Sequence, residues 1–177
     1  NTNKIIEEHV RVEDGHAMVH GDEVIQGVPG TGSRIDMYFE DPAGSKTGKL
    51  FPTGQKKEVF DVPEYGPAEV TVLDCSNPMV FIKASDLGIK GSELTELNQN
   101  KDVMEHIERI RGMAAVKCGF VENWEDARTK STSAPKVSIV SALQDYINMD
   151  GNEVKADTMD LCCRAISVGA LHKAYPM

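Results

Sequence analysis

The run EVTVLDCSNPMVFIKASDLGIKGSEL, residues 69–94, decides how the chain folds. Glu69–Leu73 and Met79–Ile82 are short runs rich in β-branched and aromatic residues, the composition of strands. Between them Asp74-Cys75-Ser76-Asn77-Pro78 holds the residue types that turn a chain, so the stretch reads as a strand–turn–strand corner. Downstream the period changes. Val103, Ile107, Ile110 and Ala114 recur at helical spacing, with Asn100 placed to cap the first turn and Asp102 within it. Val137–Val140 reads as a strand by β-branching. Asp157 is then expected to cap a helix running to about Lys173. Leu161, Cys162, Ala165, Ile166, Val168 and Gly169 make it apolar around much of its circumference, hence central and buried.

Upstream, Lys4–Val12 alternates, with Ile6, Val10 and Val12 on one face, and reads as a half-buried strand. Asp14-Gly15 is a hairpin turn signal, followed by a return strand carrying His16, Ala17, Met18, Val19 and His20. Ile35–Phe39 is a further strand, Asp41–Gly54 reads as irregular backbone, and Val59–Gly66 as a short proline-bearing passage. Strands first, then strands mixed with two helices, define an α+β class with a weak boundary near residues 60–68. One ordinary domain or two very small ones fit 177 residues.

A formal charge of −9 argues against nucleic acid and anionic membrane surfaces as partners. No run reaches the ~18 apolar residues that a membrane span needs, and no targeting segment is read. Cys75, Cys118, Cys162 and Cys163 lack paired spacing, so free thiols in a reducing cytoplasm are expected. The charge is unevenly spread. Residues 44–58 hold Lys46, Lys49, Lys56 and Lys57 against Glu58 alone, a net +3, leaving −12 for the rest. Such a glycine-rich basic loop either focuses its field on a small anion or is simply solvated. It is not a nucleotide phosphate loop: three residues separate Gly44 and Gly48 where four are needed, and Leu50 occupies the magnesium-binding hydroxyl position.

His16 and His20 are four apart, but on a strand that is ~13 Å along one face, so a surface pair and no metal site is expected. Cys118, Cys162 and Cys163 read as packing thiols. Cys75 reads either as packing or, were its pKa lowered, as a proton-transfer group, with no histidine beside it in sequence. Ser76 and Asn77 offer hydroxyl, amide and backbone donors to a ligand carboxylate.

Taken together, GVPGTGSRIDMYFEDPAGSKTGKLFPTG (27–54), residues 69–94, HIERIRGMAAVKCG, PKVSIVSALQDY and VKADTMDLCCRAISVGALHKAY resemble the PrpF family in collinear order. That family includes 2-methylaconitate isomerases, 3-methylitaconate delta-isomerase and 4-oxalomesaconate tautomerase. The resemblance implies a diaminopimelate-epimerase-like fold of two α+β halves, each wrapping a sheet around a central helix. It also implies proton movement beside a carboxylate in small unsaturated di- or tricarboxylic acids, with no cofactor and no metal. Such a proton is weakly acidic, so the reaction needs a placed base and donors for the enolate-like charge. The resemblance makes Ser76 and Asn77 the substrate-carboxylate corner, and adds Lys46, Thr53 and Gly54 of the basic loop.

Family members are about twice this length. Their glycine-rich opening, the Thr-Ser-Lys segment with the catalytic lysine and the Asn-Cys-Gly-Asn turn with the cysteine have no counterpart in the chain. No catalytic residue is therefore assigned. The expected layout is the remainder of a first half at 1–62 and most of a second half at 67–177, an incomplete fold. The expected function is that of a part of such an isomerase, inactive alone. The alternative is a non-catalytic carboxylate-binding or assembly module. Expected partners are a small polycarboxylate and either further copies of the chain or a separate first-half chain, since an unfinished half exposes apolar surface.

Overall fold

The computed structural model describes residues 4–25 and 27–176. Its strands are β1 (Ile6–Val10), β2 (Val12–Glu13), β3 (His16–Ala17), β4 (Ile35–Phe39), β5 (Glu58–Val62), β6 (Gly66–Cys75) and β7 (Asn77–Lys83). Helices α1 (Lys101–Lys117) and α2 (Ala127–Lys130) follow, then β8 (Lys136–Ser141), β9 (Tyr146–Ile147), β10 (Glu153–Val154), β11 (Cys162–Ser167) and β12 (Ala170–Leu171). A six-stranded sheet runs β12-β11-β8-β7-β6-β5, and two-stranded ribbons join β1 to β4, β2 to β3 and β9 to β10. Within the large sheet only β7 and β8 are parallel, as a crossover through α1 requires.

The core lies between this sheet and α1. Asn100 caps the helix as expected, its side chain accepting from the Val103 amide at 3.3 Å. Val103, Ile107, Ile110 and Ala114 then pack on Val62, Val70, Val72, Val80, Ile82, Val137 and Ile139 in one buried cluster. Each fully buried Val or Ile contributes about 1.5–3 kcal/mol. At Gly112 the helix meets the turn at Trp124–Asp126 so closely that a Cβ would stand 2.5 Å from the Trp124 carbonyl oxygen.

The helix expected over Asp157–Lys173 is instead the hairpin β11–β12, and the central helix of the structure is α1. Cys162, Arg164 and Ile166 lie opposite Ser141, Ile139 and Val137 of β8, while Cys163 and Ala165 face the other way. Both faces of β11 are partly covered, so its residues form an apolar run in which a period of two cannot be told from 3.6. Val168 and Gly169 break it with φ of +51° and +74°, and Leu161 and Val168 are exposed. Cys162 and Cys163 thus alternate across a strand, the first buried and the second half-buried.

Two further readings change. The Val59–Gly66 passage contains β5, whose Phe60 and Val62 are buried while Val59 is exposed, a period-two pattern. The β5–β6 hairpin places Glu58–Val62 in the same sheet as the residues that follow. The strand at Lys4–Val12 is the shorter β1, and it is exposed along its whole length rather than half-buried, because among the described residues no layer covers the β1–β4 ribbon. The Asp14-Gly15 turn is as expected, both residues at positive φ between β2 and β3. No helix among the described residues is long and apolar enough to cross a membrane.

Candidate functional site

The β6–β7 corner is as tight as an antiparallel pair allows: Cys75 lies opposite Asn77, with Ser76 alone between them at φ +70°. Such a corner carries backbone groups that the two strands cannot satisfy, and residues 42–50 supply the partners. The Ser76 amide donates to the Pro42 carbonyl (2.9 Å), the Gly44 amide to the Asp74 carbonyl (2.8 Å) and the Asp74 amide to the Leu50 carbonyl (2.9 Å). Ala43 and Cys75 form an antiparallel bridge. Gly44 stands at φ +65°, and a Cβ there would meet the Lys49 nitrogen at 2.5 Å, so the loop closes only on glycine.

Asp74 is fully buried, and its Oδ2 accepts from the amides of Lys46 (2.8 Å) and Thr47 (2.7 Å) and from the Thr47 hydroxyl (2.8 Å). The backbone donors that would make this loop an anion cradle are therefore spent on a carboxylate of the protein itself. Its charge is left to the side chains. Lys57 is neutralised by Glu69, which also accepts from Lys83. Lys46, Lys49 and Lys56 are exposed.

Lys136, which sequence reading passed over, completes the cluster. It opens β8 opposite Met79 of β7, diagonal to Asn77 and ~8 Å from it by strand geometry. It is half-buried, and burial together with the nearby Lys46 ammonium holds its pKa below the ordinary lysine value. The available signal was a lysine at the head of a β-branched strand, on the same face as Ser138 and Val140. Lys136 and Lys46 thus put positive charge at one end of the sheet, and the first of the two is partly desolvated.

Among the expected site residues, Lys46, Ser76 and Asn77 come together at this sheet end. Ser76 also lines a recess of about 190 Å³ with Lys4, Ser45 and Phe39. Thr53 and Gly54 instead close their own turn: the Thr53 hydroxyl accepts from the Gln55 amide at 3.2 Å, and the Gly54 amide donates to the Phe51 carbonyl. Cys75 is exposed, so it is not the packing residue that one reading made it. Cys118, at the end of α1, is pushed up to about 12 by burial and by the neighbouring Asp74 charge. Burial likewise raises Cys163 and Tyr175, whose hydroxyl donates to Ser138 Oγ at 2.8 Å. These three stay protonated near neutral pH, the opposite of what a general base needs. His16 lies in β3 and His20 outside any strand, and no group of three or more His, Cys, Asp or Glu among the described residues is placed to hold a metal ion.

The profile of the family described as "PrpF protein" matches residues 1–177. The chain belongs to the PrpF family. It is 37% identical over 177 residues to the 3-methylitaconate isomerase of Eubacterium barkeri, covering 99% of this chain and 46% of that protein. Against the 2-methyl-aconitate isomerase of Shewanella oneidensis the identity is 32% over 178 residues, covering 98% and 45%. A crystal structure of methylitaconate-delta-isomerase superposes with a TM-score of 0.87 at 37% identity, over 99% of this chain and 46% of that one. The PrpF fold, α+β and diaminopimelate-epimerase-like, is thus the fold of this chain. The chain spans about half the length of the curated relatives it matches.

Proposed function

We propose that this PrpF chain forms part of a cofactor-independent isomerase that shifts a proton and a double bond in small unsaturated di- or tricarboxylic acids of the methylaconitate and methylitaconate type. In this reading it holds the substrate's carboxylates and is inactive alone. The observation that carries it is the placement of Lys136, at the head of β8, at the same sheet end as the Ser76–Asn77 corner and the Asp74-bound loop of Lys46, in a chain that matches isomerases of such acids along its length.

The chemistry follows from charge. Removing a proton beside a carboxylate builds an enolate-like dianion, and cations fixed near the carboxylate oxygens stabilise that charge more than they stabilise the ground state. Lys136 is the stronger contributor, because partial burial removes competing water. Ser76 and Asn77 lie at the same end with hydroxyl and amide groups. The proton-moving groups are supplied by the remainder of a family-length enzyme, either in one polypeptide or from a separate chain. A cytoplasmic setting fits four free cysteines.

Two measurements test this. The pure chain is expected to leave the ultraviolet absorbance of methylaconitate and oxalomesaconate unchanged; measurable turnover would refute inactivity. Calorimetry with a tricarboxylate is expected to show millimolar or tighter binding that weakens with added salt. No heat and no thermal shift would remove the carboxylate reading. Binding with no gain of activity when the missing family segments are co-expressed would favour the second reading, a carboxylate-binding module, which the three raised proton groups support.

A further inference from the structure

The basic loop owes its position to one carboxylate. Asp74 points to the α1 side of the sheet, in line with Val70 and Val72, and is fully buried. Backbone bonds at Pro42, Gly44 and Leu50 tie down the two ends of the loop. The tip is different. The bonds that Lys46 and Thr47 make across to the sheet all end on Asp74 Oδ2, from two amides and one hydroxyl at 2.7–2.8 Å. Asp74 Oδ1 has no hydrogen-bond partner among the described residues, so the whole bonding capacity that this side chain uses is directed at the loop. Donors that converge on a buried carboxylate are short and about twice as strong as neutral pairs.

Such a clasp has work to do. Lys46 and Lys136 carry like charge at the same sheet end, and the Lys46 ammonium adds to burial in disfavouring the protonated form of Lys136. A site for a polyanion gains affinity when its cations are held in place beforehand, against that repulsion. The same clasp occupies the Lys46 and Thr47 amides and leaves the Lys46 ammonium exposed for a ligand.

We infer that Asp74 is the positioning residue of the lysine site, holding the tip of the 44–49 loop so that Lys46 faces Lys136 across the end of the sheet. This rests on the reading that the two lysines receive substrate carboxylates.

The test uses the whole chain, with propane-1,2,3-tricarboxylate as the probe, in calorimetry and amide hydrogen exchange. Asp74→Asn keeps the shape and an acceptor but removes the charge. It is expected to speed exchange at the Lys46 and Thr47 amides about tenfold and to weaken probe binding about two- to fivefold, as Lys46→Met does. The double variant is expected to bind no worse than Lys46→Met, because Asp74 acts through Lys46. Thr47→Val removes one of the three donors at a half-buried position and is expected to show the same pattern at smaller amplitude, which keeps the question open to decision if Asp74→Asn does not fold. Unchanged exchange in both variants, or a double variant whose loss is the product of the single losses, overturns the inference, since a merely structural aspartate would add independently. Wild-type chain that fails to bind the probe removes the carboxylate reading itself, whereas binding that survives Asp74→Asn unchanged removes the clasp alone.

Discussion

Replacing Lys136 by methionine separates the two things that this residue does. In the wild-type chain its ammonium is half-buried, held near Lys46, and displaced below its ordinary pKa first by burial and then by that neighbour. Methionine fills a similar volume without charge, so the substitution removes a desolvation penalty and a repulsion. The variant is therefore expected to be at least as stable as the wild type at neutral pH. Binding should move the other way. A fully exposed ion pair is worth about 0.2–1 kcal/mol and a desolvated hydrogen bond to a charge about 1.5–3 kcal/mol. A half-buried lysine falls between, at about 1–2 kcal/mol, or roughly a five- to thirtyfold rise in Kd for a tricarboxylate. Lys46→Met, at an exposed position, is expected to cost about fivefold at most. The pH dependence has a definite sign. Because the folded pKa of Lys136 lies below the unfolded one, the unfolded chain binds more protons between the two values. Stability contributed by this group then rises with pH through that window. The wild-type minus variant difference should therefore shrink as pH climbs from the lowered value through about 10.4. Calorimetry at two salt concentrations and chemical denaturation across pH 7–11 supply the numbers. Equal Kd in wild type and Lys136→Met, or a variant clearly less stable than wild type, would refute the reasoning.

Ile110→Ala removes a fully buried side chain from the α1–sheet core and is expected to cost about 2–5 kcal/mol in urea denaturation; a loss below 1 kcal/mol would mean that the helix does not pack there. His106 is buried, stacked on Tyr65 with ring centroids 4.2 Å apart, and burial lowers its pKa. Its folded pKa lies under the unfolded one, so stability should fall as pH drops from about 6.5 through the lowered value and level off below it; His106→Phe should abolish that step, and a step of unchanged size would assign it to other groups. Ile6, Val10, Ile35 and Met37 share the exposed apolar side of the β1–β4 ribbon, so the isolated chain is expected to run as a dimer or larger in light scattering, and a monodisperse monomer would count against that.

Much of the fold was legible locally. Asn100 and the spacing of Val103, Ile107, Ile110 and Ala114 place α1 without reference to anything distant, because a cap and an apolar stripe are local properties. The β6–β7 corner was legible for the same reason, since turn residues between two β-branched runs leave few other conformations. The β11–β12 hairpin was not. A strand covered on both faces loses its alternation, and only pairing with β8, twenty residues earlier, decides between helix and strand. The half-burial assigned to β1 failed on the complementary point, because alternation says which face is apolar and not whether anything lies against it.

The site divides along the same line. The sequence by itself determined the membership in the PrpF family, the basic segment at 44–58 and the donor-bearing Ser76–Asn77 corner, all of which are properties of residue type and order. Only the tertiary structure decided that the Lys46 and Thr47 amides close on Asp74, 28 and 27 residues away, that Lys136 arrives at the same sheet end from a third segment, and that Thr53 and Gly54 turn on themselves. The physical reason is that burial and proximity set the strength of a charge, and both are made by chain segments that meet only when the sheet has formed.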